Sequence, residues 1–225
     1  MFEKSFIMTL PKIVENYLLE FRKNFPNTKI LPKNSSKIMN FLSWIFLKTK
    51  INPRFNEYYT TLGDTIYLPE NAYKIDGERL LQVIMHECLH IEDYHKNKFL
   101  YVLFYGFPQI LSPLFLLGFL GFLYSPMFFL FLFALCLAPF PAYGRYYYEL
   151  RAYRVSVLFG NFYQYSENEM EEMRQWIIKN LAERYYYFTW PFPREIYKDL
   201  KNFNFLNEKE YIKLRNFLED NSTAN

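Results

Sequence analysis

Residues 99–144 contain no charged side chain, and Lys98 and Arg145 bound the run. Apolar runs longer than about 18 residues rarely belong to soluble cores. At about 1.5 Å per residue this one would measure roughly 70 Å as helix, enough to cross a roughly 30 Å hydrocarbon layer twice with a turn between. Ser125 and Pro126 supply the turn, which predicts limbs over 100–124 and 127–141. Pro108 and Pro113 in the first limb, with Pro139 and Pro141 in the second, predict a kinked or partly inserted hairpin rather than two straight spans. Lys96, Lys98, Arg145 and Arg151 flank both ends, and by the positive-inside rule they place both on the cytoplasmic side.

The 225 residues suit one compact domain around this insertion, and two full domains would be cramped. The 25 Phe and 21 Tyr are concentrated, as on lipid-facing or interfacial surfaces, and the tyrosines at 146–148 and 185–187 read as aromatic belts at a headgroup boundary. A net charge of +3 from mixed charges implies no nucleic-acid partner. Two cysteines, Cys88 and Cys136, make no disulfide framework and fit a reducing compartment. Lys4, Pro11, Lys12 and Glu15 interrupt every apolar stretch that could form a signal core, so 9–25 reads as an amphipathic helix capped by Thr9.

Turn chemistry follows at 26–28 and 32–36, and Ser36 can cap a helix through Met39, Phe41, Trp44 and Phe46. Residues 58–68 are rich in Tyr, Thr and Ile around Gly63 and Asp64, which predicts a short β-hairpin. Asp76 can cap a long helix to about Asn97, with Leu80, Val83, Ile84 and Ile91 at helical spacing. Helices are also expected over 146–159, 167–184 and 208–218, with Trp190 to Pro193 separating the last two and a frayed polar tail at 220–225.

The long helix carries His86-Glu87-Cys88-Leu89-His90, an H-E-x-x-H pattern. Residues i and i+4 share a helix face one turn apart, so two imidazoles can ligate one Zn2+ while Glu87 reaches a bound water as general base. A catalytic zinc needs a third protein ligand, and Asp93, His95 and Glu149 are the candidates. His95 turns about 140° away from His90. Asp93, seven residues after His86, suits a partner for an imidazole N–H better than a ligand. Glu149 is preferred, because an even number of crossings returns the chain to the side of His86 and His90.

An H-E-x-x-H helix, then an uncharged hairpin, then Glu149-Leu150-Arg151-Ala152 resembles the integral-membrane gluzincins of the CAAX prenyl endopeptidase and HtpX heat-shock protease type. The resemblance covers residues 58–160. It implies a mostly helical α+β fold: a zincin-like catalytic domain (1–98 and 145–225) with a small sheet and an inserted hydrophobic hairpin (99–144). It further implies zinc on His86, His90 and Glu149, water activation by Glu87, and a strand formed by Thr65, Ile66, Tyr67 and Leu68 as the sheet edge against which a polypeptide substrate lies. Where that family has an Asp supporting a zinc-binding imidazole, this chain has Tyr153. Tyr153 and Arg154 are candidate oxyanion donors by position. The expected function is therefore membrane-associated peptide-bond hydrolysis facing the cytoplasm, the alternative being a non-catalytic, membrane-anchored zinc-binding adaptor.

Overall fold

The computed structural model describes residues 10–49, 54–137, 141–182, 189–204 and 209–222. It is mostly helical with a small mixed sheet. The expectations placed on Thr9, Pro139 and the tyrosines at 185–187 lie outside the described residues. Two compact units can be distinguished, Met1–Cys88 with Lys213–Asn225, and Leu89–Ile212, and the boundary falls inside one continuous helix.

In the first unit, α1 (Lys12–Asn24) begins after Pro11 and buries Val14, Tyr17 and Leu18. β1 (Lys29–Pro32) follows, a strand missed in the sequence because four residues ending in proline read as turn. Proline is tolerated there because β1 is an edge strand. Ser36 caps α2 (Lys37–Thr49), its Oγ accepting from the Met39 amide at 3.4 Å. β2 (Thr60–Leu62) and β3 (Thr65–Leu68) form the expected hairpin, turned at Gly63 with φ 59°, a left-handed conformation that glycine adopts without strain. β3 pairs in parallel with β1 and antiparallel with β2, so the order is β1-β3-β2. This overturns the edge-strand assignment of Thr65, Ile66, Tyr67 and Leu68: both sides of that strand are occupied, and a substrate strand has no free backbone there to pair with. Among the described residues the free edges belong to β1 and β2. Met39, Phe55 and Tyr67 form a small core backed by Leu42 and Phe46.

Lys33 is buried here, its Nζ donating to the Phe55 carbonyl at 2.5 Å and lying 4.0 Å from the Phe55 ring centre. Burial lowers its pKa from 10.5 to about 8, against the opposing pull of the Glu87 carboxylate. Below pH 8 the amine is charged in both folded and unfolded chains and the burial penalty is complete. Above it the folded chain sheds the proton first, so the unfolded state holds more protons and stability rises with pH. Tyr59, held up at about 12 chiefly by burial and then by Glu87, reverses the trend above pH 10. Urea unfolding midpoints should therefore climb between pH 8 and 10, and Lys33→Met should flatten that climb.

α3 (Gly77–Lys96) is capped by Asp76, whose Oδ1 accepts from the Arg79 amide at 2.9 Å. Leu80, Leu81, Ile84, Met85, Cys88, Leu89 and Ile91 are all buried along it. α8 (Lys209–Ser222) continues through the first three residues of the polar tail expected to fray, and Phe217 meets Tyr17 edge-on at 5.2 Å.

In the second unit, Asn97 ends the long helix and caps α4 (Lys98–Gly106), its Oδ1 accepting from Leu100 at 3.0 Å. The apolar run continues as two 3₁₀ stretches, Gln109–Phe122 and Ser125–Leu137, packed on each other. Gly118 and Gly121 make this packing possible, since an added Cβ would meet the Phe131 and Phe128 rings at 2.9 and 2.5 Å. The first limb is broken: α4 and the stretch after it are bent by 76° around Phe107 and Pro108, where proline cannot donate to a helical ladder. Among the described residues no single helix is long and apolar enough to cross a membrane, although that bent pair has the length and composition to do so. Phe99, Phe122, Leu123, Leu132 and Leu135 all point outward.

α5 (Tyr143–Phe162), α6 (Glu167–Ala182) and α7 (Pro193–Lys201) pack around Tyr146, Leu150, Tyr153, Val157, Ile177 and Leu181. α6 opens on a reciprocal cap between Ser166 and Glu169. α7 was missed, its nine residues being short and hidden behind the Trp190–Pro193 breaker. Tyr146 does not belong to an interfacial belt: it is buried, stacks on Trp190 at 5.3 Å and donates to Asp199 at 2.6 Å.

Candidate metal centre

α3 presents His86, Glu87 and His90 as the helical repeat requires, with Glu87 and His90 buried. Glu149 is wholly buried on α5. Its Oε1 lies 3.8 Å from His90 Nε2, and the candidate ligand atoms of His86, His90 and Glu149 all lie within 4.8 Å of one another. Four ligands at the 2.0–2.2 Å bond lengths of zinc stand roughly 3.4 Å apart, so small side-chain rotations bring this trio to a shared ion. Two imidazole nitrogens and one carboxylate oxygen also make a donor set that suits zinc. A carboxylate withdrawn from water needs compensation, which a cation would supply.

Tyr105 was not foreseen. Its hydroxyl donates to Glu149 Oε1, and its ring meets the His90 imidazole edge-on at 5.9 Å. α4 can carry Tyr105 there because Gly144 lets α5 approach the Phe104 backbone; a Cβ at Gly144 would sit 2.5 Å from the Phe104 carbonyl oxygen. Arg145 reinforces the contact, donating to the Tyr105 carbonyl at 3.1 Å and to Gln109 at 2.9 Å. The only sequence hint was polarity: Tyr101, Tyr105 and Gln109 recur every four residues in an otherwise greasy stretch.

Thr61 was missed as well. Its hydroxyl donates to Glu87 Oε2 at 2.6 Å, so one carboxylate oxygen is anchored by β2. A threonine in a three-residue strand carries no signal of such a role.

Asp93 pairs with cationic side chains rather than with an imidazole N–H, although His90 adds a smaller electrostatic pull on its carboxyl. Its Oδ1 takes Arg151 Nη1 at 2.6 Å and Lys96 at 3.8 Å, while its buried Oδ2 has no hydrogen-bond partner among the described residues. Arg151 also binds Glu92 at 3.1 Å, and the three groups lock the end of α3 to α5 two residues beyond Glu149. Burial nevertheless holds the Asp93 carboxyl above its ordinary range, outweighing the pull of Arg151. Tyr153 is carried into the core, edge-on to Trp176 at 5.8 Å. Arg154 places its guanidinium 4.9 Å from the Phe203 ring centre. His95 packs against Tyr94 and is not part of the trio. A cavity of about 270 Å³ opens one turn beyond His90, lined by Asp93, Asn97, Tyr148, Arg151 and Arg154 among others.

No protein-family model, curated protein or solved structure matches this chain.

Proposed function

We propose that the chain is a membrane-associated zinc endopeptidase, with His86, His90 and Glu149 as metal ligands and Glu87 as general base. The observation that carries this reading is the position of Glu149. It follows His90 by the whole length of the apolar insertion, yet its carboxylate lies 3.8 Å from that imidazole. Motif spacing alone accounts for the two histidines; a buried acid completing the group is not expected by accident. Zinc in this group would supply a Lewis acid that polarises a scissile carbonyl and eases deprotonation of water. Glu87 takes that proton and returns it to the leaving amine. The Thr61 hydroxyl leaves one Glu87 oxygen for the reaction and fixes its direction. The free edge of β2, on which Thr61 stands, is the candidate surface for an extended polypeptide, replacing β3 in that role. Exposed apolar side chains on the insertion favour a lipid setting, and the basic residues at its flanks favour a site facing the cytoplasm.

The purified full chain in detergent should contain one zinc per molecule by elemental analysis. His86→Ala and Glu149→Ala should each weaken zinc retention by more than about tenfold, the least that disturbing even a ligand's supporting partner typically costs. A wild-type chain with far less than stoichiometric zinc after exposure to the ion would end this reading.

A further inference from the structure

The near-neutral total charge hides a local imbalance. Between Glu20 and Glu57 there is no acidic residue, against eight Lys and Arg, so the expectation of evenly mixed charges fails here. The segment contains α2, and α2 is apolar on more than the side it buries. Met39, Leu42 and Phe46 pack inward with Phe55 and Tyr67. Facing out are Ile38 at 56 %, Phe41 at 59 %, Trp44 at 56 % and Leu47 at 49 % exposure. An apolar patch carried by one helix and rimmed by polar groups marks an interaction surface. Lys37 and Lys48 stand exposed at the two ends of that face, with the Lys48 ammonium 5.2 Å from the Trp44 ring centre.

We propose that the outer face of α2 is an interfacial anchor that lies on an anionic lipid surface. Thirteen residues span about 20 Å as helix, too short to cross a bilayer but suited to lying in its interface. Bulky apolar groups with a tryptophan sink to the acyl boundary, while lysine stems keep their ammonium groups among headgroups. The absence of any carboxylate from this stretch selects the sign of the surface, because anionic lipids attract each lysine and nothing in the segment repels them. A protein partner would call for some opposite charge or hydrogen-bonding variety on the face, and among the described, exposed residues of α2 Asn40 is the one polar group besides the lysines.

The test uses the full chain with Trp176 and Trp190 changed to Phe, so that Trp44 alone reports. Emission is read with phosphatidylcholine vesicles, with and without phosphatidylserine, some carrying bromines high on the acyl chains. The insertion at 99–144 can hold the protein on either vesicle, so only the local signal of Trp44 matters. The expected result is a blue shift and bromine quenching that appear with phosphatidylserine and weaken with salt. Lys37→Gln and Lys48→Gln should each reduce the engaged fraction relative to the free by about fivefold. Water-like, unquenched emission in both vesicle types would overturn the proposal. Equal engagement of both would overturn the anionic assignment. A blue shift without lipid would overturn it too, pointing to a second copy if it depends on protein concentration and to another segment of the chain if it does not.

Discussion

Glu87→Gln is expected to keep its zinc and lose hydrolysis of an unstructured polypeptide by about 10²- to 10⁴-fold, the usual contribution of a positioned general base. Gln is nearly isosteric and can still accept the Thr61 hydroxyl bond, made at 2.6 Å in the native chain, so the helix and the two histidines should stay in place. What the amide cannot do is take a proton from water. Metal analysis and turnover must be measured on the same preparation. Zinc retained with turnover lost supports catalysis by this carboxylate. Unchanged turnover would remove Glu87 from the mechanism, and no turnover in the native chain would favour the zinc-binding adaptor.

The second large effect belongs to stability. Arg151→Met should cost about 3–5 kcal/mol, because it strands a buried carboxylate rather than merely deleting a contact. Asp93 loses its 2.6 Å partner, and Glu92 loses one at 3.1 Å. The sign of the pH response follows. Asp93 is already held above the ordinary carboxylate range by burial, and removing Arg151 raises it further. A folded-state pKa above the unfolded value means the folded chain binds the proton more readily, so stability lost at neutral pH should return as pH falls through that raised value. Changing Asp93 to Leu in the same chain should restore most of the loss at neutral pH, since replacing both charges by apolar groups is often neutral. Thermal or urea unfolding at neutral and mildly acid pH compares both variants with the native chain. A single variant as stable as the native chain would show that the clamp is not holding α5 to the end of α3.

The local elements were largely legible. Asp76 before an apolar-periodic stretch announced α3, Gly63-Asp64 between β-forming residues announced the hairpin, and Ser36 announced α2, since each rests on bonds between near neighbours in the chain. The elements that escaped were those without local evidence. β1 exists because β3 offers it a partner, and Lys29 to Pro32 alone is only an extended piece before a proline. α7 is short and owes its place to Ile196 and Leu200 entering a core built by α5 and α6. The edge-strand error has the same origin, because whether a strand is central depends on which other segments pair with it.

His86, Glu87 and His90 were determined by the sequence alone, because the pitch of an α-helix sets the relation of positions i and i+4 whatever surrounds them. That a carboxylate would join them could be argued from the chain's return after an apolar detour. That Glu149 stands 3.8 Å from His90, that Tyr105 holds it, and that Asp93 and Arg154 turn to other partners were decided by packing. Side chains dozens of residues apart meet only where close approaches such as that at Gly144 allow, and a linear pattern does not encode those distances.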